Sequence, residues 1–195
     1  MMVFRRWGAA TNLLTNGGFT TNTTGWEGTG GTIARITTDG VYGAACLEVT
    51  VTVADDIAGA RRSAGEVVDA ATQYTASLWL KASTGTPTVS VYAVEYTALD
   101  AFVATNAAVG IELNTTTWQR IPVTFTTSGT TGIVRVYAAT YGSQTATFKV
   151  DGVQLQTGAS ATPYIETNGA AATRAAGVIT LDPTRAMKHP MAQVS

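Results

Sequence analysis

The stretch Phe148-Lys149-Val150-Asp151-Gly152-Val153-Gln154-Leu155, running on through Gln156-Thr157-Gly158 to Ala161-Thr162-Pro163-Tyr164-Ile165, decides the fold. Phe148, Val150 and Leu155 fall on an apolar alternation broken only at Asp151-Gly152, which predicts a half-buried strand with one bend or bulge near the aspartate. A polar break and Pro163 follow, as expected where a closing strand seals a sandwich before the chain leaves it.

Working outward, the same period-two pattern recurs along the chain. Gln73 to Lys81 is the strongest case, with Tyr74, Ala76, Leu78 and Leu80 on one face and Thr75, Ser77, Trp79 and Lys81 on the other. After Thr84-Gly85-Thr86-Pro87, the run Thr88 to Tyr96 is apolar on both faces, which suits a strand inside a two-sheet structure. Thr32–Thr37, Ala45–Val53, Val109–Leu113, Trp118–Thr126, Gly132–Ala139 and Thr145–Leu155 read as further strands, about nine in all, separated by Ser/Thr/Gly turns. Pro122 lacks an amide hydrogen, so its strand is expected at a sheet edge or at a bulge. Residues 54–64, with Asp55-Asp56 and Arg61-Arg62 at their shoulders, read as a loop carrying solvated charge rather than a metal site.

Composition agrees with an all-β reading. Threonine, glycine, alanine and valine dominate, and at 195 residues one core is expected. Charged residues make up 13% of the chain, twelve basic against thirteen acidic, so no field steers it toward nucleic acid or an anionic membrane. No apolar run is long enough to cross a bilayer as a helix, and Met1 to Trp7 lacks the apolar stretch of a signal peptide. The single cysteine, Cys46, excludes an internal disulfide and reads as a packed or half-exposed structural thiol rather than a nucleophile. The single histidine, His189, lies near the end of the chain, leaving no triad inside the domain. Glu48, Glu95, Asp100 and Glu112 are the carboxylates available for a glycosidase pair, and nothing in their spacing singles out two of them, so the protein is read as not an enzyme.

Four segments in order carry a family resemblance: Asn12-Leu13-Leu14-Thr15-Asn16-Gly17-Gly18-Phe19 with Gly25-Trp26; Tyr74 to Ala82; Trp118-Gln119-Arg120-Ile121 leading to Thr124-Phe125-Thr126; and Phe148 to Leu155. Together they resemble the jelly-roll β-sandwich of carbohydrate-binding modules (the group that includes families 4, 9, 16 and 22), in the version common in phage structural proteins. The fold implied is a two-sheet antiparallel jelly-roll β-sandwich over residues 11–166, with an N-terminal arm at 1–10 and an extended C-terminal segment at 167–195. The resemblance places Trp26, Trp79 and Trp118 at core positions. Many members also carry a glutamate after the Asn-Gly-Gly-Phe turn, as part of a structural calcium site with an aspartate of the closing strand. This chain has Thr20 there and Gly152 where a second aspartate is common, so Asp151 is left as a weak calcium candidate and no cofactor is expected.

A second resemblance, from Gln154-Leu155-Gln156-Thr157-Gly158 through Ala161-Thr162-Pro163-Tyr164-Ile165 to Ala172-Thr173-Arg174-Ala175-Ala176, is to a run that recurs in phage tail and virion proteins. It implies a virion structural protein, a minor tail or head-surface component that assembles with other virion proteins or copies of itself. Phe4, Trp7, Val178, Ile179, Leu181, Met187 and Met191 supply apolar surface for that assembly. The alternative is a module that attaches to cell-surface glycan. Sugar binding needs aromatic faces with polar neighbours, and the aromatics not claimed by the core are Tyr92, Tyr96, Phe102, Tyr137 and Tyr141.

Overall fold

The structure, a computed structural model, describes residues 8–55 and 57–176. Thirteen strands follow in chain order: β1 (Ala10–Asn12), β2 (Trp26–Thr29), β3 (Gly31–Ile36), β4 (Cys46–Val51), β5 (Gly59–Arg62), β6 (Glu66–Val67), β7 (Gln73–Ala82), β8 (Thr88–Tyr96), β9 (Phe102–Glu112), β10 (Gln119–Thr126), β11 (Ile133–Thr140), β12 (Ala146–Thr157) and β13 (Ala172–Arg174). Every pairing is antiparallel. One sheet runs β10-β7-β12-β4-β3, the other β2-β5-β11-β8-β9 with β6 against β11, and β1 pairs with β13 in a small ribbon. Phe4, Trp7, Val178, Ile179, Leu181, Met187 and Met191 lie outside the described residues.

The alternation of each strand sends one row of side chains between the sheets. Leu47 and Val49 of β4, Tyr74 to Leu80 on alternate positions of β7, Val89 and Val91 of β8, Val134 and Val136 of β11, and Phe148, Val150 and Leu155 of β12 form this core with Phe19 and Trp26. The rings of Phe19 and Trp26 meet at 5.3 Å, and the indole Nε1 donates to Asn16 O at 3.2 Å. Cys46 is fully buried, and burial pushes its thiol up to about 12, so it is the inert structural thiol expected. Pro122 lies in β10, the edge strand of its sheet.

Three expectations are corrected. Trp79 is half-buried on the outer face of β7, edge-on to Tyr42 at 6.3 Å, because its position in the alternation is opposite to that of Leu78 and Leu80. Trp118 is also half-buried, just before β10, with the Lys81 ammonium 5.7 Å from its ring centroid. Neither belongs to the core between the sheets. The third correction is that Gly59–Arg62 forms a strand rather than a loop, so Arg61 and Arg62 point to opposite faces. Arg62 turns inward, buried, to pair with Glu66 at 2.7 Å, while Arg61 turns outward.

The expected irregularity in β12 is present as a shift in its register with β7 between Asp151 and Gln154, with Gly152 at φ 55°. Loop 37–45 folds over this point on the outer face. The segment 158–167 crosses the same face, bound by Thr162 N to Gln156 Oε1 (3.1 Å) and Ile165 N to Gln154 Oε1 (2.8 Å).

Leu78→Ala should cost about 2–5 kcal/mol, since Leu78 is fully buried between the sheets. Trp118→Ala, half-buried outside the core between the sheets, should cost well under half as much. Urea unfolding of both variants checks this, and equal losses would return Trp118 to the core.

Candidate carbohydrate-binding face

Cross-strand register brings the sequence-predicted aromatics together. Tyr137 of β11 lies directly opposite Tyr92 of β8, and Tyr96 opposite both Ile133 of β11 and Phe102 of β9. All point away from the core, because their neighbours Val91, Ala93, Val134 and Val136 point into it. Tyr141, just past β11, continues the same face. Its ring lies over Gly110 of β9, where an added Cβ would stand 3.8 Å from it. Eight residues separate Ile133 from Tyr141, so the platform runs roughly 26 Å along the strands.

The tyrosines are braced. The hydroxyls of Tyr96 and Tyr137 are 3.0 Å apart, and burial together with this contact raises Tyr137 to about 12, so Tyr137 remains a neutral phenol at physiological pH. Tyr96 meets Phe102 edge-on at 6.4 Å. The Arg135 guanidinium lies over the Tyr96 ring, 4.5 Å from its centroid, and that of Arg61 over Tyr137 at 6.0 Å. Each arginine also has a carboxylate partner, Asp100 for Arg135 at 2.9 Å and Glu27 for Arg61. The face therefore presents aromatic rings and hydrogen-bond donors, with both of these arginines paired to carboxylates. Phe102 is 65% exposed and Tyr141 44%, leaving open ring surface at the two ends.

The places of Arg61, Arg135 and Glu27 on this face were missed in the sequence, and Asp100 was read there only as a free carboxylate. The signal for the first three is the outward phase of β2, β5 and β11, which was hidden for Arg61 by reading residues 54–64 as a loop. Glu95, by contrast, lies inside the sandwich, accepting from Asn106 Nδ2 at 2.7 Å and Ser128 N at 2.9 Å. Glu48 sits on the other sheet, bound by Ser83. These carboxylates do not face each other across a cleft as glycosidase chemistry requires.

The family model for a carbohydrate binding domain matches residues 11–147. The chain belongs to that family. Solved structures share its fold. The first family-22 xylan-binding domain of Paenibacillus barcinonensis Xyn10C superposes with a TM-score of 0.60 at 14% identity, covering 77% of this chain and 94% of that one. A family-16 carbohydrate binding module gives 0.55 at 20% identity, over 74% and 99%. The enzymatically active domain of tailspike protein 4 from bacteriophage CBA120 gives 0.57 at 13% identity, covering 75% of this chain and 21% of that one. Against the Clostridium thermocellum xylanase 10B structure complexed with xylohexaose, the TM-score is 0.59 at 18% identity, over 76% of this chain and only 29% of the xylanase chain. No curated protein sequence matches this carbohydrate binding domain.

The structural calcium implied by the resemblance does not fit the residues present. Asp151 is fully buried, but its Oδ2 accepts from Val41 N (2.7 Å) and Tyr42 N (3.0 Å) and its Oδ1 from Gly152 N (2.7 Å). Both oxygens thus face N–H donors, which a cation would have to displace. Thr20 has its hydroxyl engaged with Glu166 Oε1 at 3.0 Å. Among the described residues no three His, Cys, Asp or Glu side chains cluster as metal ligands. A chelator should accordingly shift the melting temperature by no more than a degree or two, and a large drop restored by calcium would contradict this.

Loop 37–45 is held instead by two carboxylates with opposite responses to pH. Burial raises Asp151 to about 6, against the lowering effect of the Tyr42, Gly152 and Val41 amides. Hydrogen bonds from Lys149 (2.7 Å) and Lys81 (2.6 Å) hold Asp39 below its ordinary value. A raised carboxyl contributes stability below its unfolded value and loses it as pH rises through about 6, whereas a lowered one contributes above its unfolded value and loses it as pH falls. The melting temperature should therefore be greatest near pH 4 and decline as pH rises from about 4 to about 6. In Asp151→Asn the decline between about pH 4 and 6 should flatten, and a parent Tm that rises steadily from pH 4 to 8 would contradict the assignment.

Proposed function

We propose that this domain binds an extended, uncharged polysaccharide along the outer face of the six-stranded sheet. The observation that carries the reading is the convergence of Tyr92, Tyr96, Phe102, Tyr137 and Tyr141 on one surface whose two arginines are already paired. Pyranose rings present an apolar C–H face that stacks on an aromatic ring, and hydroxyls that exchange hydrogen bonds with phenol and guanidinium groups. An anionic sugar would have to compete with Asp100 and Glu27 for the arginines; a neutral one does not. The platform contributes binding and orientation, and no catalytic role is assigned to it.

The tailspike match favours a second reading, in which the sandwich is an assembly or presentation module of a phage virion. The run from Gln154 to Ala176, similar to one in tail and virion proteins, supports the same setting. The two readings are compatible if the particle uses the domain to hold host glycan.

Titration calorimetry of the full chain against xylan and mixed glucans, followed by a glycan array, tests the first reading. Tyr92→Ala and Tyr137→Ala should each weaken binding by roughly 30-fold, about 2 kcal/mol for the loss of a central aromatic contact. Absence of any glycan ligand, or affinities unchanged in both variants with the fold intact, would leave assembly as the function to pursue.

A further inference from the structure

On the opposite side of the molecule, a cleft of about 580 Å³ lies between loop 37–45, the Phe19-Thr20 turn and the segment that carries Tyr164 and Glu166. It shares no residue with the aromatic platform, and it stands where the family glutamate is replaced by Thr20. We propose that this cleft is a second carbohydrate site, which takes a single sugar ring or the end of a chain.

The lining is built from fixed groups that retain unused hydrogen-bonding capacity. Arg35 of edge strand β3 is locked by donating from Nε to Phe19 O (2.7 Å) and from Nη2 to Thr20 O, and its Nη1 has no partner among the described residues. Glu166 is oriented through Oε1 by the Thr20 hydroxyl, and its Oε2 has no partner among the described residues. No ion pair joins Arg35 to Glu166, so a donor-only group and an acceptor-only group stand apart in one cleft. Two neighbouring sugar hydroxyls match that pair, since each can both give and accept a hydrogen bond. Thr37 adds a further hydroxyl at the wall.

Tyr42 supplies the apolar surface. Its ring is held from one side by Tyr164 at 4.6 Å and by Gly152, whose missing Cβ would stand 2.8 Å from it. Its backbone N–H is bound by Asp151, and its remaining surface, 38% exposed, lines the cleft. The Tyr164 hydroxyl is buried without a hydrogen-bond partner among the described residues. An aromatic wall beside a fixed donor, a fixed acceptor and small hydroxyls, in a volume suited to a small molecule, is the chemistry of a sugar pocket.

The test is amide chemical-shift mapping on the full chain, titrated with xylose, glucose, N-acetylglucosamine and short xylo- and cello-oligosaccharides. At least one probe should shift the amides of Thr20, Arg35, Tyr42 to Ala45 and Glu166 in a saturable way. Glu166→Gln, which keeps the shape but replaces the acceptor, should weaken that response at least 10-fold, with Glu166→Ala as the second variant at this exposed position. Tyr92→Ala, on the platform, should leave it unchanged. No saturable shift at the cleft with any probe, an unchanged affinity in both Glu166 variants, or loss of the response in Tyr92→Ala would each overturn the proposal. Failure of the platform to bind polysaccharide would leave the cleft response intact, so the two readings are separable.

Discussion

The register shift in β12 between Asp151 and Gln154 is the constraint on which the rest of the domain depends. A bulge frees backbone groups and re-aims side chains, and here each freed group is used. Val153 N donates to Gly17 O at 3.0 Å, and Gly17 must be glycine because a Cβ would stand 2.1 Å from Val153 O. Asn12, fully buried, accepts from Leu155 N at 3.1 Å and donates to Ile165 O at 2.9 Å, joining the first strand, the closing strand and the segment after it. Asp151, turned outward at the same place, captures the amides of loop 37–45.

Those attachments give the two outer faces different characters. Over the five-stranded sheet, loop 37–45 and segment 158–167 cover Trp79 and the buried side chains of Gln154 and Gln156, leaving a confined cleft at the margin. Buried polar groups of this kind are tolerable because they are hydrogen-bonded to the segments that cover them. The outer face of the six-stranded sheet keeps its tyrosines accessible. One face is thus an open aromatic platform, the other a covered surface with a cleft at its margin.

Electrostatics sets the character of the open face, where ring surface and charged groups lie side by side. Arg61 and Arg135 lie over tyrosine rings and are each neutralised by one carboxylate, so guanidinium donors are available without a net field. With a formal net charge of −1 on the whole chain, long-range steering contributes little, and recognition falls to contact chemistry.

The sequence by itself determined the all-β class, the sandwich, an irregularity near Asp151, an edge or a bulge at Pro122 and the structural rather than reactive character of Cys46. These follow from period-two alternation, a missing amide hydrogen and local composition, all of which act over a few residues. It also supplied the five aromatics of the candidate face, though only as leftovers from the core. Their convergence was decided by tertiary structure, because it depends on which strand pairs with which and in what register: Tyr92 meets Tyr137 across 44 intervening positions. The same dependence misled the reading of Trp79 and Trp118, whose size suggested a core but whose phase turned them outward. It also concealed the divergence of Arg61 and Arg62, since two adjacent charges look like a loop until a neighbouring strand pairs with them and sends one to each face.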